Sequence, residues 1–174
     1  MALAAVRRAA PADVEHIVSI QSATWAAAYA DLVPAAAITG LTSPEAKRAW
    51  QAAVAAGGVL VATEGAWTVG FVAAVRAGAP QGSPPDGEIV TLLVEPRWGR
   101  RGHGGRLLAA AATALRDRGA RRGVAWVPAA DAASCGFYAR VGWAPDGAVR
   151  VLDTGDGTLR EVRLTGSLEL TVRE

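Results

Sequence analysis

The chain has 174 residues, of which 51% are hydrophobic and 20% charged, with a formal net charge of +2. That length fits one domain and buries a sizeable core without disulfide staples, while so small a net charge excludes a dedicated nucleic-acid binder. No apolar run reaches the roughly eighteen residues that a transmembrane helix needs, and "MALAAVRRAAPADVEHI" is expected to be no signal peptide, because its apolar stretch is too short. Cys135 is the single cysteine, so no disulfide framework, thiol cluster or metal site is expected, and a reducing cytoplasm is the simplest compartment.

"AVRRA" (5–9) reads as a first strand. Pro11 and Asp13 suit a helix start, and Val14, Ile17, Val18 and Gln21 follow at helical spacing, which predicts a helix over 11–22. Trp25 and Tyr29, four apart, share one face of a continuing or second short helix that ends at Pro34. Pro44 to Ala56 is a helix with Ser43 as N-cap, stopped by Gly57 and Gly58.

Residues 59–76 read as a hairpin around Glu64–Gly65, and "AGAPQGSPPDG" (77–87) as a loop. A strand over 88–96 closes at Pro96. A helix runs from Gly102 or Gly104 to Arg118 and ends at Gly119. Residues 123–128 form a strand and 129–142 a short helix ending at Gly142. A final hairpin over 148–170 turns near Gly155–Gly157. The order β-α-α-β-β-β-α-β-α-β-β predicts an α/β (α+β) chain: a mixed sheet flanked by helices, in a single domain over 1–174 with no internal boundary.

The chemistry concentrates in one place. Arg97 to Arg106 holds four glycines and four arginines, and eight arginines lie between Arg97 and Arg122 with only Asp117 to offset them. A Walker loop would need a Lys–Ser/Thr pair that is absent. A dinucleotide fingerprint through Gly102 and Gly104 would need glycine at 107, where Leu107 stands. What survives is the underlying physics: a strand ends, glycines let a ligand approach, and a helix begins. Its free N–H groups, with Arg100, Arg101 and Arg106, form an anion site that fits a pyrophosphate. The competing reading is a solvated arginine-rich loop with a glycine turn.

The neighbours of that loop favour the anion site. "EIVTLLVEPRWGRRGHGGRLL" (88–108) followed by "DAASCGFYARVGW" (131–143) resembles the GNAT superfamily of acetyl-CoA-dependent N-acetyltransferases, and "ATWAAAYADLVP" (23–34) is similar to the acceptor-side helices of small bacterial members. The resemblance covers most of the chain and implies a mostly antiparallel central sheet and acetyl-CoA as cofactor. The family loop, [Gln/Arg]-x-x-Gly-x-[Gly/Ala], places Gly102 and Gly104 at its glycines and Gly99 where Gln or Arg is usual. A second register starts at Arg101, uses Gly104 and puts Arg106 last. The first is preferred, because it keeps Leu107 and Leu108 as buried helix residues. The later motif, Asn-x-x-Ala-x-x-Phe-Tyr, is here Asp131-x-x-Ser134-x-x-Phe137-Tyr138.

The resemblance implies a cofactor set of Leu92, Leu93, Val94, Gly99, Arg100, Arg101, Gly102, His103, Gly104, Gly105, Arg106, Asp131, Ser134 and Tyr138. Asp at 131 lacks the amide donor of Asn. A backbone N–H on a splayed Leu92–Val94 strand would hold the thioester oxygen. Amide formation further needs a base, for which Glu88 is the candidate, and an acid for the departing sulfur, for which Tyr138 is. Against these stand a strand-end glutamate facing water and a core aromatic beside Phe137. His103 is expected to expose its side chain while its backbone N–H binds. Cys135 and His16 read as packing and structural residues, and Trp25 and Tyr29 either wall the amine site or pack on the sheet. Three functions follow: acetyl transfer to a small amine, acetyl transfer to a protein N-terminus or lysine, or silent acyl-CoA binding. No membrane or nucleic-acid partner is expected, and the family allows a homodimer.

Overall fold

In the computed structural model, residues 3–78, 81–82 and 86–170 are described. Parts of the predicted 77–87 loop, residues 79–80 and 83–85, lie outside them. β1 (Ala4–Arg8) leads through a 3-10 turn at Pro11–Asp13 into α1 (Val14–Ala28). The helix does not stop at 22. Nothing between Ser22 and Ala28 breaks it, so of the two options for Trp25 and Tyr29 the continuing helix holds, and Tyr29 closes it by donating its N–H to Trp25 O at 2.8 Å.

A short helix, α2 (Ala35–Gly40), was not foreseen. Pro34 is extended and serves as its N-cap, so this proline starts a helix as well as following one. Helix α3 (Pro44–Ala55) starts as expected, with Ser43 Oγ accepting the Ala46 N–H at 3.1 Å. β2 (Val59–Glu64) and β3 (Trp67–Ala77) form the hairpin, and β4 (Asp86–Val94) follows. Then come α4 (His103–Asp117), β5 (Arg122–Pro128), α5 (Ala132–Arg140), β6 (Ala144–Asp153) and β7 (Thr158–Ser167). β6 begins well before the expected 148. Its turn-like residues Pro145 and Gly147, the latter at φ 91°, are absorbed in a register irregularity between Pro145 and Val149.

The seven strands are ordered β1-β2-β3-β4-β5-β7-β6. The β1–β2, β2–β3, β5–β7 and β6–β7 pairs are antiparallel and β4–β5 is parallel, which is the mixed, mostly antiparallel sheet expected. The parallel ladder is short: Gly87↔Gly123, Glu88↔Val124 and Ile89↔Ala125.

The chain forms two compact units, Met1–Ala73 with Thr91–Ala110, and Ala74–Val90 with Ala111–Glu174. The first is built on Val14, Ile17, Val18 and Ile20 of α1, Val54 of α3, and Val59, Val61 and Phe71 of the hairpin, with Trp50 and Leu93 against them. The Trp50 indole N–H donates to Gln21 Oε1 at 3.0 Å, which satisfies both groups at the edge of this core. At its rim the buried Asp13 carboxylate takes both Arg7 guanidinium N–H groups, at 2.7 and 3.0 Å, and the Ala10 N–H at 2.7 Å. Chiefly through Arg7, this holds the Asp13 carboxyl below its usual range.

The second unit is built around Trp143. Its ring lies over Gly123 and Gly166, adjacent partners on β5 and β7, and a Cβ at either would overlap it. Its indole N–H donates to Ser167 O at 3.0 Å, and Tyr138 stacks on it at 5.2 Å and 20°. Similarly, a Cβ at Gly87 would stand 2.7 Å from Leu115 Cδ1, so glycine there lets α4 lie close on β4.

Two outcomes follow. Gly123→Ala forces the Trp143 ring aside and is expected to cost about 3 kcal/mol, the upper end for overpacking, as read by denaturant unfolding. Asp13 is lowered in the folded state, so its contribution is present at neutral pH and is lost as pH falls below its ordinary value of about 4 towards the folded one. Asp13→Asn should therefore lower stability at pH 7 by about 2 kcal/mol and flatten the acid limb of a stability–pH curve.

Candidate functional site

The segment between β4 and α4 is set by local constraints. The Glu95 N–H donates to Val69 O at 2.9 Å and ties the end of β4 to β3, where Gly70 allows close approach to Leu93 O. Pro96 opens a 3-10 turn, Pro96–Trp98. Arg100 then takes φ 61° and Gly102 φ 81°, two left-handed residues just before α4. Glycine takes such a φ without penalty, whereas arginine pays about 1 kcal/mol. The left-handed φ accounts for glycine at 102, whereas Gly104 lies within α4. Gly99 is extended at φ −60° and ψ 158°, so its backbone does not require glycine.

The first helical bond of α4 is Arg106 N–H to Gly102 O at 3.1 Å. The amides of 103–105 therefore have no partner inside the helix, and the positive end of a 15-residue helix opens onto the loop. The three loop arginines differ. Arg100 is exposed and has no ion-pair partner among the described residues. Arg106 lies against Gly102 and donates from Nη1 to Arg101 O at 3.1 Å. Arg101 is engaged, with Nη1 3.2 Å from Glu64 Oε1 and its guanidinium 5.0 Å above the Trp98 ring. Arg97 pairs with Glu95 at 2.6 Å and stacks between Trp67 and Trp98.

His103 corrects an expectation. Its side chain is not exposed but 2% accessible, one turn before the fully buried Leu107 on the same helix face. Nε2 lies 2.8 Å from Glu64 Oε2, and Nδ1 is buried with no hydrogen-bond partner among the described residues. By sequence, Glu64 reads only as part of a hairpin turn. No local signal marks it, because its partner stands 39 residues away.

Leu92, Leu93 and Val94 are half-buried on β4, past the last β5 pair at Ile89. Trp25 and Tyr29 meet edge to face at 5.2 Å, with Tyr29 buried. These residues and the loop belong to the first unit, and Glu88, Asp131, Ser134 and Tyr138 belong to the second. Glu88 is half-buried beside Val124 on β5. Asp131 is the N-cap of α5: Oδ1 accepts the Ser134 N–H at 2.9 Å and Oδ2 the Ser134 hydroxyl at 2.7 Å. The motif residues at 131 and 134 thus bind each other.

Tyr138 is buried, with Phe137 on its edge and Trp143 on its face, and burial pushes its phenol well above the ordinary range. Burial, and then the Asp131 charge, also raise the Cys135 thiol, which suits a packing residue rather than a nucleophile. His16 is exposed. Among the described residues, no helix is long and apolar enough to cross a membrane and no group of side chains could hold a metal ion.

Residues 23–143 match the model of the Acetyltransferase (GNAT) family. No protein of curated function matches the chain. Among solved structures, the chain is similar to the PaiA N-acetyltransferase of Thermoplasma acidophilum in complex with coenzyme A, at TM-score 0.79 and 14% identity over 95% of this chain and 99% of that one. It is also similar to a ribosomal-protein-alanine N-acetyltransferase from Brucella melitensis, at TM-score 0.74 and 20% identity over 94% and 99% of the two chains. A third likeness is to yncA, a putative acetyltransferase of Salmonella typhimurium solved with its cofactor acetyl-CoA, at TM-score 0.72 and 21% identity over 95% and 94%. At these identities the likeness concerns the fold.

Removing the α5 cap by Asp131→Ala should cost about 1 kcal/mol, while Asp131→Asn, also a good cap, should cost a few tenths, as measured by thermal unfolding.

Proposed function

The chain belongs to the Acetyltransferase (GNAT) family, and on that premise we propose that it moves the acetyl group of acetyl-CoA to the primary amine of a small molecule, by direct attack in a ternary complex. The enzyme class and the cofactor come with the family: it is an acetyl-CoA-dependent N-acetyltransferase. The observation that carries the cofactor's placement is the doubly left-handed turn at Arg100 and Gly102 ahead of the open N-terminus of α4. We assign the backbone amides of 102–105 and the side chains of Arg100 and Arg106 to the cofactor's pyrophosphate. Arg101 contributes mainly through its backbone, because its guanidinium is held by Glu64 and Trp98. Asp131 and Ser134, which the family motif also places among the cofactor residues, cap α5. We read the chain as one catalytic domain, since the family match runs through segments of both units.

The reaction makes one bond and breaks one. The amine nitrogen attacks the thioester carbonyl carbon, whose oxygen draws on a backbone N–H of the 92–94 stretch. That attack forms the C–N bond, and collapse of the tetrahedral adduct restores the C=O bond and breaks the C–S bond. Glu88, directly or through one water, takes the proton lost by nitrogen, and the Tyr138 phenol gives one to the departing thiolate. Burial suits Tyr138 to that role, because it keeps the phenol protonated across the working range. A small acceptor is supported by the edge-to-face aromatic pair Trp25–Tyr29, which we assign to the wall of the amine site. Acceptance of a protein N-terminus is the second reading, favoured by the likeness to the Brucella melitensis enzyme, whose name states such an acceptor. A cytoplasmic location goes with the single, half-buried cysteine.

Thiol release from acetyl-CoA, measured against amines, amino acids, aminoglycosides and short peptides, tests this. Release that needs one small amine supports the reading, and release only with peptides moves it to the second. A thermal shift with coenzyme A but no release from any acceptor leaves a silent binding module. Tyr138→Phe should lower kcat about 100-fold with little change in KM for acetyl-CoA. Because the phenol is raised, the wild-type rate should show no alkaline decline from this group as pH climbs to about 10, its ordinary value.

A further inference from the structure

We infer that Glu64 is a positioning residue for the cofactor's anionic end, acting through His103 and Arg101 on the backbone between them; this rests on the acetyl-CoA reading above. Glu64 ends β2, and its two carboxylate oxygens are divided between two loop residues. Oε2 receives His103 Nε2 at 2.8 Å and Oε1 receives Arg101 Nη1 at 3.2 Å. Those residues flank Gly102, which takes φ 81°. One carboxylate therefore grips both sides of that left-handed glycine. Arg106 adds a third restraint by holding Arg101 O.

Charge alone argues against placing a carboxylate here. Next to a site for a pyrophosphate it repels the ligand and cancels Arg101, one of the four arginines of the loop. Its location makes sense only if shape matters more than charge. The histidine points the same way. A carboxylate only accepts, so His103 carries its proton on Nε2, and without Glu64 it would be a 2% accessible imidazole with neither nitrogen partnered. The helix face it shares with Leu107 is otherwise apolar, and Leu would fill position 103 without needing a carboxylate. His103 thus makes the start of α4 depend on β2, and the amides of 102–105 inherit a fixed geometry before the cofactor arrives.

The test compares wild type, Glu64→Ala, Glu64→Gln, His103→Leu and the Glu64→Ala/His103→Leu pair. Steady-state kinetics are read with acetyl-CoA varied, together with amide hydrogen exchange of residues 100–106 in the free protein. Glu64→Ala is expected to raise KM for acetyl-CoA about tenfold with kcat within a factor of about two, and to speed loop exchange about tenfold. Should the alanine variant fail to fold, Glu64→Gln, which keeps the shape but not the charge, is expected to show about a threefold rise in KM. In the His103→Leu background, removing Glu64 should cost less than about threefold, because the buried imidazole that needs it is gone. Unchanged KM and unchanged exchange on loss of Glu64 in an active enzyme overturn the inference alone, as does a loss confined to kcat. A wild-type protein that neither binds coenzyme A nor turns over acetyl-CoA overturns the acetyl-CoA reading, and the inference with it.

Discussion

The constraint on which the first unit's chemistry depends is backbone shape at two residues. Arg100 and Gly102 must both turn left-handed so that the chain leaving β4 can enter α4 with its first amides open. Arginine does not favour that conformation, and glycine does not by itself hold it. The surroundings supply what these residues lack. Val69 fixes the end of β4, the 3-10 turn at Pro96–Trp98 sets the approach, and Glu64 holds the residues on either side of Gly102. Each restraint is an ordinary hydrogen bond or ring contact worth about 1 kcal/mol, and only together do they make one conformation dominate.

Charge is distributed by the same logic. A run of eight arginines with one acid among them looks in one dimension like a strong cationic patch. In three dimensions three of the eight are answered by acids outside the run: Arg97 by Glu95, Arg101 by Glu64, and Arg122 by Asp86 at 2.8 and 3.0 Å. The Asp86 pair also raises the Arg122 guanidinium, chiefly through its hydrogen bond. What stays available at the loop is Arg100, part of Arg106 and the helix terminus, and these lie within one short stretch. A compact anion is therefore favoured over an extended one, which agrees with the small net charge and with a pyrophosphate rather than a duplex.

Features carried by consecutive residues were legible. Ser43 before Pro44, Gly119 after α4 and the turn at Gly155 show their roles locally. Features carried by distant partners were not. Position 103 belongs to the buried face of α4 by spacing, one turn before Leu107, yet a histidine in a glycine-rich loop reads as exposed until Glu64 is brought to it. Gly123 and Gly166 look like strand weaknesses, and only the Trp143 ring lying across both explains them. Pro34 misled in a related way. It reads as a breaker, but it caps α2, because proline's fixed φ is compatible with a helix start.

The motif around α5 shows how a departure from a family pattern is absorbed. Where Asn would offer an amide donor, Asp131 offers only acceptors, and Ser134 presents two donors to it, its N–H and its hydroxyl. The pair closes on itself and fixes the start of a nine-residue helix too short to be stable alone. The other end of α5 is held by aromatic contact, Tyr138 on Trp143, with Trp143 hydrogen-bonded to Ser167 O on β7. A helix pinned at both ends keeps Tyr138 buried, and burial keeps its phenol protonated. Stability and the protonation of the phenol are thus set by the same packing. A substitution that loosens Trp143 would free the phenol to ionise more easily, so damage to this core would reach the protonation of Tyr138 even where the side chain itself is still present.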